Sequence, residues 1–226
     1  MSNEVDAIRE RYARRKLVYD PLDAYRYLSY QEQRRALIEW VHWSGLAPVQ
    51  NKRLLEIGCG SGDNLLLLLT LGFHPENLVG NELLEERVIR ARRLLPAGIQ
   101  ILLGDASELE LEKNSFDIVF QSTVFTSILD DDFQNKLAGH MWSLVKPGGG
   151  VLWYDFVFNN PRNPDVKGVS IKRIREMFPE GEIKVWKLTL APPISRRVTK
   201  INPNLYALLN LLPFLRSHVL CWIKRP

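Results

Sequence analysis

Three glycines at alternate positions, Gly58, Gly60 and Gly62, follow a short apolar run that carries one acid, Glu56. Five consecutive leucines, Leu65–Leu69, come directly after Asn64. Strand, glycine turn and helix together hold a small polar or anionic ligand against a helix N-terminus, and a glycine admits a ligand where a Cβ would clash. The dinucleotide fingerprint requires a further glycine at the place of Asp63, so the G-x-G-x-G spacing here argues against a pyrophosphate-binding turn. A second acid, Glu82, ends the next apolar run, 20 residues beyond Gly62. That is about the distance at which a carboxylate accepts both hydroxyls of a ribose. Two residues have the chemistry of a general base, Asp155 and, as second candidate, His218. Either must lie within hydrogen-bond reach of the proton it removes. Between them Asn159, Asn160 and Arg162 offer amides and a guanidinium suited to a hydroxyl-rich or anionic acceptor, although NNPRNP is also ordinary turn chemistry.

These residues need elements to position them. Short apolar runs at Arg53–Ile57, Leu78–Glu82, Ile99–Leu103, Ile118–Gln121 and Val151–Phe156 predict five strands. Helical stretches predicted at Asn64–Leu71, Leu84–Leu95 and Phe133–Val145 lie between them. Near-continuous apolar strands separated by helices imply a parallel sheet covered on both faces, and the C-terminal ends of its strands face the ligand crevice. A helix over Ser170–Phe178 precedes an alternating strand at Glu182–Leu190 and a last strand at Val219–Lys224. Before the first strand, residues 1–20 read as a charged helix, and Ser29 predicts the cap of a second helix over Tyr30–Ser44. Five of the chain's seven tyrosines, Tyr12, Tyr19, Tyr25, Tyr27 and Tyr30, crowd this region.

Four stretches make the sequence similar to the class I S-adenosylmethionine (SAM)-dependent methyltransferases. EIGCGSG at residues 56–62 resembles the family's first motif, Glu82 stands at the end of the second strand, and Gly104-Asp105-Ala106 follows the third. Phe116-Asp117 opening the fourth strand and LVKPGG at 144–149 opening the fifth match its landmarks, so the likeness runs in register over roughly residues 50–156. It implies a Rossmann-like α/β fold: a seven-stranded, mostly parallel sheet with helices on both faces and an antiparallel last strand. It also implies an N-terminal helical lid at 1–48 ahead of a methyltransferase domain at 49–226. Residues 191–216 exceed the short turn that the family's minimal core needs, so they read as an insertion, a flap between the last two strands.

The resemblance implies SAM as cofactor, with Glu56, Gly58, Gly60, Gly62, Glu82, Leu83, Asp105, Ala106 and Gln121 as its binding residues. Asp105 is then expected to accept from the adenine amino group. Phe125, Asn159, Asn160 and Arg162 become the expected acceptor-binding residues, with Asp155 and His218 as the expected catalytic ones. The loop after strand four reads Gln121-Ser122-Thr123-Val124 and lacks the [DN]-P-P-[YF] of adenine and glutamine N-methyltransferases. The expected acceptor is therefore a small molecule or a glycan-linked group, methylated most readily at oxygen. An RNA methyltransferase and a silent SAM-binding protein are the competing readings. The NNPRNP block and its neighbours also resemble a bacterial subgroup of these enzymes associated with surface-glycan or secondary-metabolite genes.

Composition sets outer bounds. Two cysteines and four scattered histidines give no zinc spacing, so no metal site is expected. The N-terminus has no apolar core of a secretory signal, and no run of about 18 apolar residues exists, which predicts a cytoplasmic protein. Charge is uneven. Residues 1–166 hold 18 Lys/Arg against 23 Asp/Glu, whereas residues 167–226 hold 12 against 3. A basic C-terminal part suits an anionic partner, such as a phospholipid surface contacted peripherally, or is a solvated face. No aromatic stack with a basic track is present, so no nucleic-acid partner is expected. The oligomeric state is not readable.

Overall fold

The computed structural model describes residues 3–14, 20, 22–161 and 163–226. Seven strands form one sheet in the order β3-β2-β1-β4-β5-β7-β6. They are β1 Leu54–Ile57, β2 Leu78–Glu82, β3 Gln100–Leu103, β4 Phe116–Ser122, β5 Val145–Phe156, β6 Glu182–Leu190 and β7 Arg216–Lys224. The first five run parallel, and β7 inserts antiparallel between β5 and β6. This is the expected α/β architecture, down to the bounds of β2 and β6.

Alternation along the strands sends side chains to two apolar layers. Leu55, Ile57, Val119, Trp153 and Cys221 enter one layer, which α5 (Asp131–Leu144) and α6 (Ile171–Met177) complete. Leu54, Ile118, Phe120, Tyr154 and Trp222 enter the other, under α3 (Asp63–Thr70) and α4 (Glu85–Leu94). The local chemistry agrees with these elements. Asp130 caps α5 by accepting from the Phe133 N–H, and Ser170 caps α6 by accepting from the Arg173 N–H. Glu85 and Glu86 open α4 and Arg92 and Arg93 close it, both favoured by the helix dipole.

The N-terminal helices join these layers instead of forming a core of their own. α1 (Asn3–Arg14) buries Val5 and Ile8 in the first layer, and α2 (Ala24–Ser44) buries Ala36, Leu37 and Trp40 in the second. α2 starts at Ala24, six residues before its expected start at Tyr30. Ser29 is not its cap, because the Ser29 hydroxyl donates one turn back to the Tyr25 carbonyl from inside the helix. Arg15, Lys16 and Tyr19 of the expected first helix lie outside the described residues.

The segment between β6 and β7 is more ordered than a flap with one short helix. α7 (Pro192–Ile201) precedes α8 (Asn204–Asn210), and a 3₁₀ turn at Pro213–Leu215 leads into β7. Pro192 and Pro193 punctuate the sequence like a turn, yet they occupy the first helical positions, where the missing N–H costs nothing. Ala191 N–H donates to the Leu215 carbonyl at 2.9 Å and closes the neck of this insertion. The Glu32 carboxylate of α2 then ties α8 down, accepting from the Tyr206 hydroxyl at 2.8 Å and from Asn210 Nδ2 at 2.7 Å.

Candidate active site

A cavity of about 1140 Å³ opens along the C-terminal ends of the strands. At one end lie the glycine turn after β1, the acid ending β2 and the turn after β3. The glycines of the turn serve different purposes. Gly60 has φ +59° and a Cβ there would meet nothing within 4 Å, so its open side faces space a ligand can fill. A Cβ at Gly62 would strike Leu95 Cδ1 at 2.7 Å, and one at Gly58 would strike Val124 Cγ2 at 2.5 Å. Those two allow close packing of α4 and of the loop after β4.

Glu82 is 5 % exposed and holds the turn in place. Its Oε2 accepts from the Gly60 N–H at 2.9 Å and its Oε1 from the Leu84 N–H at 2.9 Å, with the Arg87 guanidinium 3.9 Å away. A carboxylate has about four lone-pair sites, so each oxygen keeps capacity for a further donor. Asp105 accepts from the Ser107 N–H through Oδ1 at 2.8 Å, and Leu83 and Ala106 line the cavity beside it.

Glu56 and Gln121 stand behind this end and not in its wall. Glu56 is fully buried, and Asn64 Nδ2 donates to its Oε1 at 2.7 Å. Its Oε2 is buried with no hydrogen-bond partner among the described residues. Burial pushes its carboxyl up to about 8, against the opposing bond from Asn64. Gln121 is also fully buried and accepts from the Val124 N–H at 3.0 Å, which shapes the loop after β4.

α1 lies over this end through Val5, Ile8 and Tyr12, which line the cavity. Arg11 fastens it, donating to the Ser127 carbonyl at 3.0 Å and pairing with Glu4 at 2.7 Å. Glu4 in turn accepts from the Leu129 N–H.

The other end of the cavity is built from α2, β5, β6, β7 and α7. Tyr154 and His218 stack there at 5.3 Å between centroids and 19° between planes. The Tyr154 hydroxyl meets Thr189 Oγ1 at 2.9 Å, and burial raises its phenol well above the usual range. Ser217 Oγ lies 2.9 Å from His218 Nδ1, and burial pushes the imidazole down to about 4, so it is neutral near pH 7. Two guanidiniums border this end over aromatic rings, Arg196 over Tyr25 at 5.2 Å and Arg26 over Tyr30 at 5.7 Å. Ser29 and Gln33 complete the α2 side. Thr123 and Thr189 line the same cavity with φ of +57° and +64°. β-Branched residues rarely adopt that region, and such strain concentrates at functional sites.

Several expected site residues lie elsewhere. Asp155 is 0 % exposed and outside the cavity wall. Its Oδ1 accepts from the Thr126 hydroxyl at 2.7 Å and the Phe156 N–H at 3.0 Å, and its Oδ2 accepts from the Thr126 N–H at 3.2 Å. Burial pushes its carboxyl up to about 7. It brackets the 3₁₀ turn Phe125–Ser127 and does not line the cavity. Phe125 is buried against Trp153 at 4.3 Å, in the layer opposite Tyr154. Asn159 is exposed and accepts from the Gly168 N–H, so it shapes its own loop. Asn160 is exposed on the same loop, away from the cavity, and Arg162 lies outside the described residues. Tyr25, Arg26, Tyr30, Thr189 and Arg196 line this end of the cavity, and their one sequence signal was the crowding of tyrosines before β1.

Residues 54–149 match the family model of a methyltransferase domain. The chain is 29 % identical over 158 residues to phthiotriol/phenolphthiotriol dimycocerosates methyltransferase 1 of Mycobacterium ulcerans, covering 69 % of this chain and 49 % of that protein. It is 33 % identical over 110 residues to a fatty-acid O-methyltransferase of Mycolicibacterium smegmatis, covering 48 % of this chain and 39 % of that one. The chain thus spans about half the length, or less, of the curated relatives it matches. Among solved structures it superposes on magnesium protoporphyrin IX methyltransferase from Synechocystis with bound S-adenosylhomocysteine, at TM-score 0.62 and 14 % identity. That match covers 98 % of this chain and 94 % of the other. Residues 54–149 thus match a methyltransferase domain, and the chain has the fold of the class I SAM-dependent methyltransferases.

Proposed function

We propose that the chain binds SAM at the glycine-turn end of the cavity and methylates an oxygen of a small, lipid-like acceptor held at the other end. The observation that carries this reading is the cavity's continuity, from Gly60 and Glu82 at one end to Tyr154 and His218 at the other. The open space beside Gly60, the spare lone pairs of Glu82 and the second oxygen of Asp105 fit the ribose and adenine of SAM. When bound there, SAM supplies a methyl group on a cationic sulfur.

The chain's own residues have three tasks. Glu82 accepts from the ribose hydroxyls and Asp105 from the adenine amino group, with the Ala106 backbone beside it. α1 and α7 border the cavity from two sides and confine the space in which the reacting groups align. With the Ser217 hydroxyl donating to the Thr189 carbonyl, His218 Nδ1–H donates to Ser217 Oγ, and Nε2 is the nitrogen that accepts the proton of a hydroxyl acceptor. An acceptor carboxylate has no proton to lose and needs no base.

Support for a lipid-like acceptor comes from the aromatic wall, Tyr25, Tyr30 and Tyr154, with Arg196 bordering it to meet an anionic head. The names of the relatives, which specify phthiotriol dimycocerosates and fatty acids, point the same way. A glycan-linked acceptor loses its support, because Asn159 and Asn160 lie outside the cavity. The test is a panel of long-chain acids, long-chain alcohols, sugars and RNA, read by formation of S-adenosylhomocysteine and of methylated product in the mass spectrum. Turnover with a long-chain acid or alcohol is expected. Turnover confined to sugars or RNA would overturn the acceptor reading.

A further inference from the structure

The insertion between β6 and β7 has two sides. On α8, Tyr206 and Asn210 point inward to Glu32. Positions three and four apart share a helix face, so Leu208, Leu211 and Leu212 come to the opposite side of this turn. They are 60 %, 70 % and 40 % exposed. On α7, Ser195 and Thr199 are buried, whereas Arg197, Lys200 and Ile201 face out. Ile201 is 79 % exposed, and Phe214, on the turn that follows α8, is 75 % exposed. Five large apolar side chains standing in water within one short insertion exceed what a soluble surface ordinarily scatters singly.

The charge of the same insertion selects its partner. Residues 191–216 contain four basic side chains and no acidic one. Arg216 is used internally, donating to the Asn210 and Lys187 carbonyls, and Arg196 sits over Tyr25. Arg197 and Lys200 are exposed and form no ion pair among the described residues. Apolar side chains flanked by uncompensated cations fit the interface of a bilayer that carries anionic lipid: the leucines enter the acyl boundary and the cations meet the headgroups. No helix of the described residues is long and apolar enough to cross a membrane, so the contact is peripheral.

We propose that the outer side of the α7–α8 insertion docks on an anionic lipid bilayer. The inner side of α7, through Pro192 and Arg196, lines the cavity, so docking sets the lipid against an element that walls the cavity. The proposal stands on this surface alone and holds whether or not the acceptor reading does.

The test is sedimentation of the whole chain with vesicles of phosphatidylcholine alone, and of phosphatidylcholine with phosphatidylglycerol. Binding is expected to rise with phosphatidylglycerol and to fall with added salt. Arg197→Glu with Lys200→Glu should weaken binding to the anionic vesicles at least roughly fivefold for each cation. Leu211→Ser with Phe214→Ser should abolish it, with the far-ultraviolet circular dichroism and the melting temperature unchanged, because both side chains are exposed. Equal binding to both vesicle types, or binding unchanged in both folded double variants, would overturn the proposal. So would a dimer in light scattering that Leu211→Ser with Phe214→Ser dissociates while no vesicle binding is seen, since the patch would then be an interface between copies.

Discussion

The Gly60 N–H donates to Glu82 Oε2 at 2.9 Å, which locks the turn after β1 to the acid that ends β2. The residue that leaves space beside the turn and the acid proposed to hold the ribose are therefore one unit. Leu84 N–H occupies the other oxygen, so neither Glu82 oxygen can become a donor without facing an N–H.

Glu82→Gln tests this unit. The amide keeps one acceptor oxygen and turns an NH₂ group toward either Gly60 or Leu84. Hydrogen bonds to a charged group are worth about 1.5–3 kcal/mol each, so SAM affinity by calorimetry should fall roughly 10- to 100-fold. An unchanged affinity would remove Glu82 from the cofactor site.

Asp155→Asn separates a structural acid from a catalytic one. The variant leaves one of the three donors around Asp155 facing an NH₂ group. A buried polar group left without its partner costs about 1–3 kcal/mol, which should lower the melting temperature by about 2–10 °C. SAM affinity should change little. His218→Gln loses the Tyr154 stack and the Ser217 contact, so it should also lower the melting temperature, but it should keep SAM affinity while slowing turnover of a hydroxyl acceptor on the order of 10²–10⁴-fold. A carboxylate acceptor should be spared. Loss of turnover in Asp155→Asn with full stability would return Asp155 to the catalytic role.

Buried carboxyls give the stability a definite pH dependence. Glu56 and Asp155 have folded-state values raised to about 8 and about 7. The unfolded chain releases these protons near pH 4, so the folded state binds more of them above that point. Stability from this source is full below about pH 4 and falls as pH rises through the folded-state values. His218 acts oppositely, since its folded-state value is lowered to about 4. Its neutral burial costs stability only below the unfolded value of about 6.5. Between about pH 6.5 and 8 the carboxyls act without it. The ligand-free melting temperature should therefore fall across that window, and fall less in Glu56→Gln, which keeps an acceptor for Asn64. A flat profile in the parent chain would show that neither Glu56 nor Asp155 keeps its raised value in the folded state.

The sheet was legible because each strand is a nearly unbroken apolar run, and the glycine-turn end of the cavity because Gly60, Glu82 and Asp105 sit at strand ends where spacing alone locates them. The end beside Tyr154 and His218 was not. Tyr154 and Asp155 are neighbours on β5 and point to opposite faces. An acid at a strand end reads as the site residue, yet the cavity opens on the Tyr154 side. That choice of face depends on α2 and α7 covering it, a long-range contact no local pattern encodes. α7 itself was hidden by Pro192-Pro193, and the early start of α2 by Ser29, whose hydroxyl suits a cap as well as an internal bond.

The central claim is that SAM occupies the space beside the glycine turn. Calorimetric titration of SAM into the parent chain and into Gly60→Val tests it most directly, with circular dichroism confirming that both are folded. A Val side chain would project into that space from a backbone held at φ +59°. One-site binding to the parent chain and none to Gly60→Val is the predicted result. A folded Gly60→Val that binds SAM as the parent does would contradict the account.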